Sequence, residues 1–388
     1  MFIMKELIRK FTDFYGISPV IAAAAPGRLE VLGNHTDYNE GFVLSCAVGQ
    51  TTKFVLAPAE GTLCKVKDFR DRTEMSFDLD SLDRKPPRNG SKYIIGMLSE
   101  LRKRGFEPFA FTAGLQSDVP LSAGMSSSAA LEVSCALAFT GLKNFAISRA
   151  ELARAGQGVE NNFLGLKTGL LDQFSSLFGE KDSIIMSDFR KVEVIDTLKL
   201  PAGYAFVVIN SMKKHTLVDS DYNVRREDCE NAAKILSGIY ENSRTLRDIT
   251  PEQLENAKDK LSEREYLRAK HVVCECDRVK KAASLLKNGD VSGFGQLLFD
   301  SHESSRKNFE NSTPELDILV DIARKDGECL GARLSGGGFG GITIHLVKAD
   351  AAEAYAERVK SEYFKQTAVE AEVFICSLGA GAEAQLLK

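Results

Sequence analysis

Pro26-Gly27-Arg28-Leu29-Glu30-Val31-Leu32-Gly33-Asn34-His35-Thr36-Asp37-Tyr38-Asn39-Glu40-Gly41 is the most informative stretch of the chain. It packs Arg, Asn, His, Asp and Tyr between two apolar runs, Val20 to Ala24 before it and Phe42 to Val48 after it. Each run is the length of a buried strand, and Ala25-Pro26-Gly27 predicts a turn where the first one ends. A solvated hairpin loop is the plain interpretation. The density of directional hydrogen-bonding side chains points instead to a polar ligand. Asp and Asn each grip paired hydroxyls, which is what a sugar offers.

Outward from this stretch, segments of both periods alternate. Leu7, Ile8, Phe11 and Tyr15 recur at helical spacing, predicting a helix over 4–15. Thr52 to Leu56, a strand around Met75 and Phe77, and Phe109 to Leu115 follow as strands, with Tyr93 to Arg102 as a helix. Ser126 to Leu142 predicts an Ala- and Leu-rich helix, and Ser148 with Glu151 forms a capping box opening a helix to about Phe163. Val192 to Val194 and Tyr204 to Ile209 are expected strands, and a mostly helical stretch runs from about Val224 to Lys325. Within it, Thr250-Pro251 and Thr313-Pro314 are helix starts. The tail returns to strand, helix and strand at Ala332 to Leu334, Ile342 to Val347, Ala351 to Phe364 and Glu372 to Ile375. Composition shifts near residue 200, giving two expected domains, 1–200 and 201–388.

Two further glycine segments stand out. In Pro120-Leu121-Ser122-Ala123-Gly124-Met125-Ser126-Ser127-Ser128-Ala129-Ala130-Leu131-Glu132, a Gly-Ser loop runs into a helix. Such a junction offers free backbone N–H groups and the positive helix end to an anion. The serine hydroxyls add bonds to phosphate or to a magnesium ion. No Lys follows the glycine where a Walker A loop requires one. In Gly331 to Gly341, five glycines in six residues lie between apolar strands, which argues against a disordered linker. Asp172, in Gly169-Leu170-Leu171-Asp172-Gln173-Phe174, is a lone carboxylate among apolar neighbours. A helix-terminal cap and a catalytic carboxylate are both open to it.

The 388 residues are 44% hydrophobic and 27% charged, enough to bury a large core without staples. Lys plus Arg is 50 and Asp plus Glu is 54, a net charge of −4. That balance argues against a general nucleic-acid surface or a polybasic membrane anchor. No apolar run approaches the ~18 residues of a membrane span, and the start of the chain lacks the pattern of a signal peptide. The eight cysteines are scattered. Cys274 and Cys276 have no second pair to complete a zinc site. Reduced structural thiols and a cytoplasmic location are expected.

Together these segments resemble the GHMP kinase superfamily and, within it, the galactokinase family. Arg28 to Gly41 is similar to the signature G-R-x-N-x-I-G-E-H-x-D-Y-N-x-G. Gly124 to Ala129 resembles the family's phosphate loop, Leu171 to Phe174 the segment with its catalytic aspartate, and Tyr222 to Arg226 its Y-x-V-R-R. Ser301-His302, Pro314 to Asp317 and the last glycine loop also match, in the right order from about residue 20 onward.

The resemblance implies an α+β two-domain GHMP kinase fold. The N-terminal domain is expected to be ribosomal-protein-S5-like α/β, the C-terminal one ferredoxin-like α+β, with the site between them. It implies ATP-dependent phosphorylation of galactose at its anomeric hydroxyl, with ATP and Mg²⁺ as cofactors. The partners are then a small-molecule sugar and ATP, with no nucleic acid and no membrane. Asp172 is the implied base and Arg28 its counter-charge. Asn34, His35, Asp37 and Tyr222 are implied to bind the sugar. Gly124, Met125, Ser126, Ser127, Ser128 and Ala129 are implied to hold ATP, Ser126 and Glu160 the metal, and Gly336, Gly337 and Gly338 to shape the site.

The chain departs from the family at named positions. Asn34 stands where the signature has the Glu that contacts the C6 hydroxyl, and Leu29-Glu30 replaces an apolar–Asn pair. No Trp is present for the nucleotide base, and Gly90 falls near that position. A kinase for N-acetylgalactosamine or another sugar is the enzymatic alternative. A non-catalytic galactose sensor is the alternative from another class, opposed by the uninterrupted Ser126 to Ala130 segment.

Overall fold

The computed structural model describes residues 2–120, 124–213 and 218–387, so Leu121, Ser122 and Ala123 of the second glycine segment lie outside the described residues. In chain order the elements are α1 (Phe2–Tyr15), β1 (Ile21–Leu32), β2 (Phe42–Pro58), β3 (Leu63–Asp68), β4 (Glu74–Asp78), α2 (Ser91–Arg102), β5 (Phe111–Ser117), α3 (Ser127–Leu142), α4 (Arg149–Gly158), α5 (Leu171–Phe178), β6 (Ser183–Asp188), β7 (Glu193–Lys199) and β8 (Tyr204–Asn210). They continue as α6 (Val218–Ser237), α7 (Pro251–Asn256), α8 (Glu263–Lys287), α9 (Val291–Ser304), α10 (Pro314–Lys325), β9 (Cys329–Ser335), β10 (Ile342–Lys348), α11 (Ala352–Thr367), β11 (Glu372–Cys376) and β12 (Glu383–Leu386).

Two sheets organise these elements. The first runs β12-β1-β2-β5-β3-β4, with β6 also paired to β2 and β7 to β6. The second is the four-stranded β11-β8-β10-β9, antiparallel throughout. Helices α2 to α5 cover one face of the first sheet, where Phe54, Phe111, Phe139 and Phe174 are buried together. The sheets share a second core. There Leu29, Leu44 and Val48 meet Phe206, Val208, Ile344 and Leu346, closed by Val279 of α8 and Leu298 of α9. Alternation along β8 explains the layering. Phe206 and Val208 enter this joint core, while Val207 and Ile209 turn to α10 and α11. Each such fully buried side chain contributes about 1.5–3 kcal/mol.

The structure corrects several boundaries. No turn forms at Pro26-Gly27; β1 runs through it, with a register shift between Pro26 and Arg28. A proline is tolerated because β12 pairs only with Ile21 to Ala24, leaving that side of Pro26 without a ladder partner. The two strands expected at 42–48 and 52–56 are one, β2, whose first part pairs β6 and whose last part pairs β5. Strands β3, β6 and β12 were not expected. β3 is six residues long with only Cys64 and Val66 as its inward apolar pair, β6 is a short, wholly buried run, and β12 is exposed throughout. The expected division near residue 200 falls between β7 and β8, yet β12 carries the end of the chain back onto β1.

Candidate active site

The central element is β1. Leu29 and Val31 point into the joint core, which turns Arg28 and Glu30 to the opposite face. Arg28 Nε and Nη2 reach Asp172 Oδ1 at 2.8 and 2.7 Å. Its Nη1 donates to the carbonyl of Gly124 at 2.5 Å. One guanidinium thus ties the sugar-signature strand to both the phosphate loop and the carboxylate. Asp172 sits in the first turn of α5, where a negative charge complements the helix dipole. Its side chain is 29% exposed against 6% for Arg28, so the carboxylate faces open space while its counter-charge does not.

On the phosphate side, Ser126 precedes α3 with φ of 56° and makes no capping bond to the helix. Its hydroxyl donates instead to Asp172 Oδ2. Among the described residues the α3 N-terminus therefore keeps its donors uncapped toward any anion that approaches. The Ser126 proton is thus engaged by Asp172, while the hydroxyl oxygen keeps its lone pairs. Met125 and Ala129 are buried, the former in the joint core, so only their backbone can meet a nucleotide. Glu160 lies in a π-helical turn after α4, where Thr168 Oγ1 donates to its Oε2 at 2.5 Å. Burial, reinforced by the charge of Asp172, pushes its carboxyl up to about 7. Beside it, the buried Glu132 of α3 accepts from Gln173 Nε2 at 2.9 Å on Oε2, and its Oε1 has no partner among the described residues. Burial raises the Glu132 carboxyl well above the usual range.

The sugar side is dense with side-chain bonds. Asn34 Nδ2 donates to Glu30 Oε1 at 2.9 Å and to the Gly336 carbonyl at 2.8 Å. Its Oδ1 accepts from Asn311 at 2.9 Å and Ser305 at 3.3 Å. Both amide hydrogens of Asn34 are thus held by protein acceptors. His35 Nε2 lies 3.1 Å from the Gly337 carbonyl and its Nδ1 lies 2.9 Å from the Tyr38 hydroxyl. A carbonyl only accepts, so the neutral ring carries its proton on Nε2 and accepts from Tyr38. Burial lowers the His35 pKa to about 3, consistent with that neutral form. Asp37 Oδ2 accepts from the Leu171 N–H at 3.2 Å. A Cβ on Gly169 would lie 1.7 Å from that oxygen, so this approach requires glycine. Likewise a Cβ on Gly338, whose φ is +81°, would lie 2.2 Å from the Asn311 carbonyl oxygen.

Arg28, Asn34, His35, Asp37, Asp172, Tyr222 and Gly336 to Gly338 all line one cavity of about 240 Å³. That is about eight water volumes, the scale of one monosaccharide. Met125, Ser126 and Glu160 are not in its lining. Sequence reasoning missed Glu132, Asn311 and Arg333. It noted Glu30 only as a departure from a pattern. Arg333 is fully buried and its Nη2 donates to Glu30 Oε1 at 2.9 Å. Burial raises the Glu30 carboxyl and Arg333 opposes the shift.

An Arg on β1 paired with an Asp at the start of α5, between the N-terminus of α3 and a cavity lined by Asn, His, Asp and Tyr side chains, is the arrangement of a GHMP-type kinase. Residues 92–180 match the GHMP kinases N terminal domain and residues 282–366 the GHMP kinases C terminal. Residues 9–58 match the galactokinase galactose-binding signature. The chain is 38% identical over 375 residues to a galactokinase of Actinobacillus pleuropneumoniae serotype 5b, covering 95% of this chain and 96% of that one. It is 36% identical to a galactokinase of Roseiflexus sp., covering 97% and 96%. A crystal structure of Lactococcus lactis galactokinase complexed with galactose superposes with a TM-score of 0.93 at 30% identity, covering 98% and 99%. The chain belongs to the galactokinase family.

Proposed function

We propose that the protein transfers the γ-phosphoryl group of ATP to the anomeric hydroxyl of galactose, giving galactose 1-phosphate and ADP. The observation that carries this is Asp172, fixed by Arg28 and Ser126 where the sugar cavity meets the α3 N-terminus. In this reading Asp172 accepts the proton of the anomeric hydroxyl as the oxygen attacks phosphorus. Arg28 offsets the charge that develops, and the first-turn N–H groups of α3 hold the phosphates. Asp37, His35 and Tyr222 orient the sugar, and Gly336 to Gly338 close the cavity over it. Residues 1–200 supply the phosphate loop and signature strand, and residues 201–388 supply Tyr222 and the closing glycine loop.

Mg²⁺ fits the donor chemistry. Among the described residues no cluster of three or more His, Cys, Asp or Glu side chains could hold a metal alone. That suits an ion bound mainly through phosphates and water with one or two carboxylates. Glu160 and the unpartnered Glu132 Oε1 are buried acidic groups whose cost a cation would relieve. When bound, the ion neutralises phosphate charge. We infer a cytoplasmic setting from eight unpaired thiols. No described helix is long and apolar enough to cross a membrane.

A screen of ADP release over common hexoses and their N-acetylated forms tests the reading. Galactose is expected to give the highest kcat/KM. Preference for N-acetylgalactosamine, or sugar binding without ADP release, would replace it with one of the two alternatives.

A further inference from the structure

Beside Asp37 and Asp172, the cavity contains a third carboxylate, Glu30, that the proposed phosphoryl transfer does not use. Glu30 is 4% exposed, yet it lines the cavity. Its Oε1 accepts from Asn34 Nδ2 and from Arg333 Nη2, each at 2.9 Å. Its Oε2 has no hydrogen-bond partner among the described residues, and it is not one of the sealed, unpartnered oxygens of the interior. Arg333 is fully buried, donates also to the Glu30 and Val31 carbonyls, and has no other carboxylate partner among the described residues. One oxygen of Glu30 is thus clamped from behind by a guanidinium and an amide. The other is left for whatever enters the cavity.

We propose that Glu30 is a specificity-determining residue, whose Oε2 takes a hydrogen bond from a ring or C6 hydroxyl of the bound sugar other than the anomeric one. Arg28 and Glu30 project from the same face of β1, about 6.6 Å apart along the strand. With Arg28 on Asp172 at the reacting end, Glu30 meets the sugar about one ring width away. A hydroxyl both donates and accepts, so it pairs with this oxygen whether the carboxyl is charged or protonated.

The sequence pattern supports the assignment independently. The signature this chain resembles carries Asn at the position of Glu30 and Glu at the position of Asn34. Here the two groups are exchanged, and they touch. Asn34 spends its amide on Glu30, Gly336, Asn311 and Ser305. The free oxygen therefore belongs to position 30. Asn34 and Arg333 are then positioning residues that aim Glu30.

The inference rests on the sugar-kinase reading above. The test measures kcat/KM for galactose and its 2-, 3-, 4- and 6-deoxy forms with the wild type, Glu30→Gln and Glu30→Asp. Glu30→Asp keeps the charge but withdraws the oxygen by one methylene. Both variants are expected to lose about five- to tenfold on galactose. The wild-type penalty for one particular deoxysugar should shrink by the same factor, with the other penalties unchanged. A uniform loss across all five sugars, or none, would overturn the assignment. Should Glu30→Gln not fold, the same comparison of penalties is made with Glu30→Asp alone. If the wild type phosphorylates no galactose at all, the functional reading itself has failed, which is a separate and recognisable result.

Discussion

The two sides of the site are built differently. On the sugar side Asn34, His35, Asn311 and Arg333 are interlocked before any ligand arrives. On the phosphate side the α3 N-terminus is uncapped, Glu132 Oε1 is unpaired, and Glu160 is held near neutrality by burial. The neutral, hydroxyl-bearing ligand meets finished hydrogen-bond geometry, whose cost was met on folding. The charged ligand meets helix N–H donors that it completes itself, and a cation carried with it would meet the buried carboxyl groups. Perturbations of the first side should act on recognition, and those of the second on nucleotide affinity and on the pH dependence of stability. Asp172 stands on the border and should act on the chemical step.

The largest expected effect is at that border. Asp172→Asn should lower kcat by about 10²–10⁴-fold, the scale of losing a general base. Galactose binding by calorimetry should change little, because both Arg28 bonds fall on one oxygen that the amide retains. A variant that keeps most of its kcat would move the border elsewhere.

Next comes the pH response of the phosphate side. Glu160 binds its proton more tightly in the folded state, so it stabilises the fold below its ordinary pKa of 4.5 and that contribution is lost as pH rises through about 7. Glu160→Gln should remove this dependence, flattening the wild-type fall between about pH 4.5 and 7 by on the order of 2–3 kcal/mol. Glu30, Asp37 and Glu132 are raised in the same direction, so the difference between the two curves is the readout. Urea unfolding across this range checks it, and parallel curves would contradict it.

Gly124→Val should weaken ATP binding by about tenfold, roughly 1.4 kcal/mol, with galactose affinity unchanged in parallel titrations. The residue has φ of +67°, a conformation that strains a side chain there, and an added Cβ would press on Ile342 Cγ1 at 3.2 Å. Equal loss for both ligands would show the two sides to be one unit. The smallest effect is expected at Asn311→Ala, which leaves the Asn34 and Gly337 oxygens short of a donor. Stability should fall by about 1 kcal/mol and galactose KM should rise a few-fold at nearly constant kcat. A fall in kcat instead would place Asn311 in the chemistry.

Much of this arrangement was legible in the sequence, because local chemistry is written locally. The capping box at Ser148 and Glu151 forms as its spacing dictates, and the helix after Gly124 begins where Ser126 announces it. Asp172 and Arg28 were paired only by resemblance, since 144 residues separate them. What escaped depends on long-range contact. Glu30 appeared as a departure because its partner Arg333 comes from β9, in the other sheet. The bond from the Ser126 hydroxyl to Asp172 was not legible because it follows from a left-handed backbone that composition does not reveal. The exposed β12 gave no hydrophobic pattern at all, only a place beside β1.

The role of Asp172 in anomeric phosphorylation is tested most directly by the position of the new phosphate. Purified protein, ATP, Mg²⁺ and galactose can be followed by proton-coupled phosphorus NMR. A single sugar phosphate is expected, its phosphorus coupled to the anomeric proton, formed by the wild type and almost absent with Asp172→Asn. Phosphate at C6, or ATP consumed with no sugar phosphate formed, would contradict it.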